Sequence, residues 1–221
     1  MKRALIIGAS GGIGAAVVAE LVQRGVAVTA LSRSQQGLDI TDEASVQAHL
    51  QALQGPYDLI FVATGALHGA GQPPEKTLKA LDPAAMQDQF AVNCLGPALV
   101  LKHALPLLPR QGRAVFAALS ARVGSIGDNR LGGWISYRSA KAALNQVIHT
   151  AAIELARSHK GVICAALHPG TVITPFTKNY AARHTTVLPE TAAHNLLEVI
   201  AGLTPEDSGG FFDWQSKRVV W

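Results

Sequence analysis

Tyr137-Arg138-Ser139-Ala140-Lys141 sets a phenol four residues before an ammonium group. On a helix that spacing puts both side chains on one face. An unperturbed Tyr titrates near ~10, so alone it is a poor proton donor or acceptor at neutral pH. A neighbouring cation favours the phenolate and draws that value down toward the working range. The pair reads as an acid/base unit. The same spacing is common on exposed helix surfaces, so the rest of the chain must carry the weight.

A second group of residues could do chemistry near the N-terminus, in Gly8-Ala9-Ser10-Gly11-Gly12-Ile13-Gly14. A glycine-rich turn that opens a helix directs free N–H groups and a positive dipole end at an anion. Glycines also let the backbone approach a pyrophosphate closely. The spacing is Gly-x-x-x-Gly-x-Gly, not the Gly-x-Gly-x-x-Gly dinucleotide fingerprint, and no Walker lysine follows. After the next strand comes Ser32-Arg33-Ser34, with no acid before Asp39. An acid there would bind a ribose 2′-hydroxyl, whereas an Arg accommodates a 2′-phosphate. NADP(H) is therefore favoured over NAD(H).

The elements that must position these groups follow from apolar periodicity. Ala4-Leu5-Ile6-Ile7 reads as a buried strand. Ile13, Val17, Val18, Leu21 and Val22 form a helical stripe that Gly25 closes. Strands are expected at 26–31, 59–62, 113–119, 161–167 and 209–214. Thr41 is placed to cap a helix carrying Val46, Leu50 and Leu53, with Asp42 and Glu43 in its first turn. A long helix starts near Pro83 and runs past Asn93 toward Leu105. Another spans 135–158, and a further one 189–200. Strands alternating with helices of this size indicate βαβ crossovers, a parallel sheet and a doubly wound α/β domain. No linker or repeat divides the 221 residues, so one domain, 1–221, is expected.

Composition narrows the function classes. The chain is 48% hydrophobic and 15% charged, which argues against disorder. Its net charge of +4 comes from scattered Lys and Arg, so no nucleic-acid partner is expected. No apolar run approaches the ~20 residues that cross a bilayer, and Gly8–Gly14 interrupts the signal-like start, so no membrane partner is expected. Cys94 and Cys164 have neither metal-ligand nor disulfide spacing, and the His residues lack metal spacing. The chain reads as a reduced, cytoplasmic protein without metal. The Ala-rich face of 135–158 suits a second subunit, as a homodimer or homotetramer. His68 reads as a surface residue and His168 as a packing one.

The Gly-x-x-x-Gly-Ile-Gly turn and the Tyr-x-x-x-Lys pair together resemble the short-chain dehydrogenase/reductase family. The likeness runs along nearly the whole chain, through Asp39-Ile40, Asn93, and Pro169-Gly170 followed by Thr174. Ser120-Ala121-Arg122-Val123-Gly124-Ser125-Ile126 through Gly133-Trp134-Ile135-Ser136-Tyr137 is most similar to the C-factor and sniffer-like carbonyl reductase branch. The resemblance implies a Rossmann-type, NAD(P)-binding domain with about seven parallel strands flanked by helices. It implies hydride transfer between a nicotinamide and a small-molecule carbonyl or alcohol. Tyr137 would protonate the alkoxide, Lys141 would lower the phenol pKa and hold the nicotinamide ribose, and Asn93 would hold a water that passes protons to Lys141. Ser120 would polarise the carbonyl.

The implied cofactor contacts are Gly8, Ser10, Gly11, Gly12, Ile13, Gly14, Arg33, Asp39, Ile40, Ala63, Thr64, Gly65, Asn93, Tyr137, Lys141, Pro169, Gly170, Val172 and Thr174. Residues 177–187 and the loop after Ser125 would wall the substrate. Two positions depart from the family. Val62-Ala63-Thr64-Gly65 stands where Asn-Asn-Ala-Gly is common. The family Ser lies three residues before the loop glycine, which here is Ala121; Ser120 is one residue earlier, with Ser125 as the alternative. Those departures leave open a cofactor-binding regulatory or signalling protein that does little chemistry. Reduction of 3-oxoacyl thioesters is a further alternative within the same chemistry.

Overall fold

The computed structural model describes residues 1–174 and 185–221. Its main sheet has six parallel strands in the order β2-β1-β3-β4-β5-β8. These are β1 (Arg3–Ile7), β2 (Ala27–Leu31), β3 (Leu59–Val62), β4 (Gln111–Leu119), β5 (Lys160–His168) and β8 (Gly210–Asp213). About seven were expected. Among the described residues, the only other strands are β6 (Thr171–Val172) and β7 (Thr186–Val187), which pair with each other outside the main sheet.

Parallel strands need crossovers, and the helices supply them. They are α1 (Gly12–Gln23), the short α2 (Arg33–Gln36), α3 (Glu43–Gln51), α4 (Pro83–Phe90), α5 (Gly96–Ala104), α6 (Ile135–Ser158) and α7 (Pro189–Gly202). Alternate residues of each strand bury against opposite helical layers. Leu5, Ile7, Phe116 and Ala118 join Val46, Val100, Leu144 and Ile148 on the face of α3, α5 and α6. Ala4, Ile6, Val115, Ala117 and Leu119 join Val17, Leu21, Leu196 and Ile200 on the face of α1 and α7. Both faces are covered, which is why the strands read as continuous apolar runs.

Strand order reverses at β1, with β2 on one side and β3 on the other. Loops leaving the carboxyl ends of β1 and β3 therefore diverge and open a crevice, the usual ligand position in such sheets. The glycine turn follows β1, and Ala63-Thr64-Gly65 follows β3.

Two helices differ from expectation. Asp42, not Thr41, caps α3 by accepting from the Ala44 N–H at 3.0 Å. Thr41 turns back instead and donates through N and Oγ1 to Asp39. The long helix from Pro83 is continuous to Leu107, but Ala91–Leu95 widens to a π turn between α4 and α5. By length and composition alone its 25 residues could cross a bilayer, although Gln87, Asp88, Gln89, Asn93 and Lys102 interrupt the apolar run. Here it packs as a layer of the domain, with Asn93, Gly96, Pro97, Val100 and Ala104 buried.

Candidate active site

Helix α6 is the frame of the site. Its buried face carries Tyr137, Lys141 and Asn145, three polar side chains at successive i, i+4 positions among Ala140, Leu144 and Ile148. Lys141 Nζ donates to the Leu119 carbonyl at the end of β4, at 2.8 Å. It lies 5.9 Å from the centre of the Tyr137 ring. The Trp134 ring stands edge-on to Tyr137, centroids 6.4 Å apart. Asn145 was not anticipated, although it continues the +4 series.

Burial sets the charge states of this pair. Tyr137 is 6% exposed and Lys141 2%. Loss of water pushes the Tyr137 phenol up, against the lowering expected from its neighbour. The same burial pushes Lys141 down to about 7, a shift that nearby Cys94 opposes. Burial thus shifts both groups toward their neutral forms, and leaves Lys141 able to hold or release a proton near neutral pH.

Ser120 is placed differently from its expected role. Its Oγ donates to Asn145 Oδ1 at 2.6 Å, while the Asn145 amide nitrogen faces the Gly124 carbonyl at 3.5 Å. A hydroxyl has one proton to donate, and this one is committed to the helix. Ser125, the alternative, donates to the Val220 carbonyl.

Asn93 is fully buried in the π turn. Its Oδ1 accepts from the Ala66 N–H at 3.1 Å, and its Nδ2 donates to the Ala66 carbonyl and to Gln89 Oε1. Both amide protons are spent on the β3–α4 loop and Gln89. The side chain is thus an anchor for the loop that follows Gly65. Gln89 carried no sequence signal beyond its i−4 spacing.

The glycine turn fits a closely approaching anion. Gly8 has φ +86°, and an added Cβ would meet Thr64 Cγ2 at 2.8 Å. A Cβ on Gly14 would lie 2.2 Å from the Gly8 carbonyl oxygen, and one on Gly12 would lie 2.6 Å from Thr174 Cγ2. Thr64 and Thr174 therefore flank the turn. Gly11 and Gly12 are exposed, Ile13 packs into the core, and Gly11 offers no side-chain cap to α1. The first N–H groups of α1 thus remain for an outside acceptor. Thr64 Oγ1 is buried without a hydrogen-bond partner. An orphaned hydroxyl above a glycine cradle is what a bound dinucleotide would satisfy, so these residues fit the expected cofactor.

Further along the crevice, Ser34 Oγ donates to Ser10 Oγ at 2.9 Å, and the exposed Arg33 opens α2 beside them. Bonds from Thr41 hold the Asp39 carboxyl below its usual range, assisted by Arg33. Ile40 is 7% exposed and packs on Gly96 of α5, so its side chain belongs to the core and not to the crevice. Beyond β5, Pro169 and Gly170 lead into β6, where Val172 is buried. Gly170 has φ +79° and backs onto the Trp214 indole. Of the expected substrate wall, residues 177–184 lie outside the described part.

One contributor was not legible in sequence. Glu75, in the loop before α4, accepts from the Ser136 N–H at 2.6 Å and from Ser136 Oγ. The Trp134 N–H donates to the Glu75 carbonyl. Glu75 thereby holds the start of α6, one residue from Tyr137, across more than sixty positions of chain.

Comparison with known proteins places this arrangement. A family model described as enoyl-(acyl carrier protein) reductase matches residues 8–211. The chain is 34% identical, over the full length of both proteins, to 1-hydroxy-2-glutathionyl-2-methyl-3-butene dehydrogenase of Rhodococcus sp. (strain AD45). It is 36% identical to C-signal of Myxococcus xanthus over 141 residues, 64% of this chain and 81% of that protein. Carbonyl reductase Sniffer of D. melanogaster has the same fold, with TM-score 0.86 and 21% identity over all of both chains. An NADPH-bound carbonyl reductase from chicken fatty liver gives TM-score 0.86 at 24% identity, covering 100% of this chain and 99% of that one. With the glycine turn and the Tyr137–Lys141 face both inside the matched span, the chain belongs to the short-chain dehydrogenase/reductase family and is an oxidoreductase of CH–OH and C=O groups.

Proposed function

We propose that the chain interconverts a small-molecule carbonyl and its alcohol with NADP(H), using Tyr137 as the acid/base. The observation that carries this reading is the buried Tyr137–Lys141 face of α6 at the carboxyl end of β4, in one fold with a glycine turn. A bound nicotinamide supplies the hydride. Tyr137, held protonated by burial, gives its proton to the oxygen as negative charge develops there. Lys141 bears the compensating charge and returns the proton to the phenolate. The α1 amides and Thr64 hold the dinucleotide phosphates and ribose, and Arg33 receives a 2′-phosphate. The protein acts in the cytoplasm as a homo-oligomer; the Ala-rich face of α6 expected to pair is instead buried on the sheet through Ala140, Leu144, Ile148 and Ala152, so pairing would use the outer side, where Ile153 is 55% exposed.

Tyr137→Phe is expected to abolish NADPH consumption with reactive aldehydes and ketones while NADPH still quenches protein fluorescence. Full activity in that variant would sink the assignment. The committed Ser120 favours a second reading, a dinucleotide-binding regulatory protein. Tight NADPH binding by the unmodified chain, with no turnover across a broad carbonyl panel, would select it.

A further inference from the structure

Helix α2 carries Arg33, yet no residue of α2 is buried, so bonds rather than packing fix its place. Within the turn, Gln36 Oε1 accepts from the Ser32 N–H and from Ser32 Oγ. Ties to the rest of the fold come from two sides. Ser34 Oγ donates to Ser10 Oγ in the glycine turn. On α3, Ser45 Oγ donates to the Gly37 carbonyl at 3.4 Å and accepts from the Asp39 N–H at 3.0 Å. One turn further along α3, His49 reaches the Gln36 carbonyl through Nε2 at 2.9 Å. Gln36 ends α2, so that carbonyl has no partner inside the helix.

The other ring nitrogen of His49 faces a carbonyl as well. Nδ1 lies 2.8 Å from the Ser45 carbonyl oxygen, four residues back on α3. A carbonyl only accepts, so each contact needs a proton on the ring nitrogen. Neutral imidazole carries one such proton and imidazolium two. The pair of contacts is therefore complete only for the cation. With one proton gone, a ring lone pair faces a carbonyl oxygen, and one contact opens. The charged groups at this corner are Arg33 on α2, Asp39 in the following loop, and Asp42 and Glu43 of α3. Arg33 opposes a cation here, and the three carboxylates favour one. Asp39 is engaged by Thr41, Asp42 by the Ala44 N–H, and Glu43 by Lys102 and His103 of α5. Among the described residues none of these carboxylates bonds to His49, so its ring protons go to the two carbonyls.

We infer that His49 is a positioning residue for the cofactor's 2′-phosphate: as the cation it straps α2 to α3 and fixes Arg33, and as the neutral ring it frees the end of α2. The inference rests on the reading of Arg33 as the group that receives that phosphate. Histidine changes charge between about pH 5 and 8, so mild acidification tightens the strap. A loose α2 must be ordered when the dinucleotide binds, and that ordering weakens the complex. NAD(H) lacks the phosphate and makes no use of Arg33, so its affinity escapes the switch.

The test titrates the unmodified chain, His49→Gln and Arg33→Ala with NADP⁺ and NAD⁺, oxidised dinucleotides that survive mild acid, from about pH 8 to about pH 6. Gln keeps one donor and does not titrate. A phosphate monoester itself titrates near ~6, but alike in every variant, so the ratio of affinities at each pH isolates His49. The NADP⁺ ratio of unmodified chain to His49→Gln is expected to rise about threefold to tenfold across this range, the worth of one hydrogen bond. The NAD⁺ ratio is expected to stay within about twofold. A flat NADP⁺ ratio, or an equal rise for NAD⁺, would overturn the inference. The imidazole resonances of the labelled, unmodified chain give a reading that needs no folded variant. A proton that favours NADP⁺ is favoured by it in turn, so His49 should titrate at higher pH with NADP⁺ bound than with NAD⁺. An identical titration with both would overturn the inference as well. Failure of the reading beneath it is distinct, since Arg33→Ala would then weaken NADP⁺ and NAD⁺ equally.

Discussion

Lys141 Nζ and the Leu119 carbonyl oxygen, 2.8 Å apart, tie the middle of α6 to the end of β4. The bond keeps a buried amine at the sheet crest, where burial lowers its pKa to about 7 from the ordinary 10.5. Between those values the unfolded chain holds a proton that the folded chain has released. Stability from this group therefore rises with pH from about 7 toward 10.5, and the full cost of burying the charge is present below about 7. Thermal denaturation across this range should show that rise, and Lys141→Met should flatten it. An equal slope in the variant would refute the assignment.

Arg33 should decide between dinucleotides. Charge-assisted hydrogen bonds to a phosphate are worth about 1.5–3 kcal/mol, and losing them corresponds to about tenfold or more in affinity. Arg33→Ala is expected to weaken NADPH by that factor and NADH by less than about twofold. Fluorescence titration with each dinucleotide reads the difference. Equal losses for both would show that Arg33 does not meet the 2′-phosphate.

Glu75 should matter to catalysis through position. Trp134 precedes α6 with φ 53° and offers no side-chain cap, so the carboxylate of Glu75 takes the Ser136 N–H in its place. Glu75→Ala should cost about 1 kcal/mol of stability, the usual loss of a cap. It should also lower kcat by loosening the turn that carries Tyr137, whereas Glu75→Gln, which keeps an acceptor, should recover most of both. If Glu75→Ala leaves melting temperature and kcat unchanged, the carboxylate is not holding the helix.

Much of the fold was legible because it rests on local periodicity. The apolar stripe of α6 gave its bounds at 135–158 without change. Gly8-Ala9-Ser10-Gly11 was readable as a turn because glycine alone tolerates φ +86° and the close approach of Thr64. The cap of α3 slipped by one residue, from Thr41 to Asp42, since either side chain could serve and only the path of the Asp39 loop chooses between them. The Ser120 hydroxyl could not be read at all. Its partner Asn145 is twenty-five residues away, and only the packing of β4 on α6 brings them together.

By itself the sequence determined the order of strands and helices, the glycine turn after β1 and the shared face of Tyr137 and Lys141. Those follow from backbone sterics and from side-chain spacing within one element. The tertiary structure decided which groups lose water and which protons are spent. It buried Tyr137 and Lys141 together and reversed the expected direction of the phenol shift. It set Thr64 over Gly8 by placing β3 beside β1. Desolvation and hydrogen-bond partnership depend on which distant segments meet, and no local pattern in the chain encodes that.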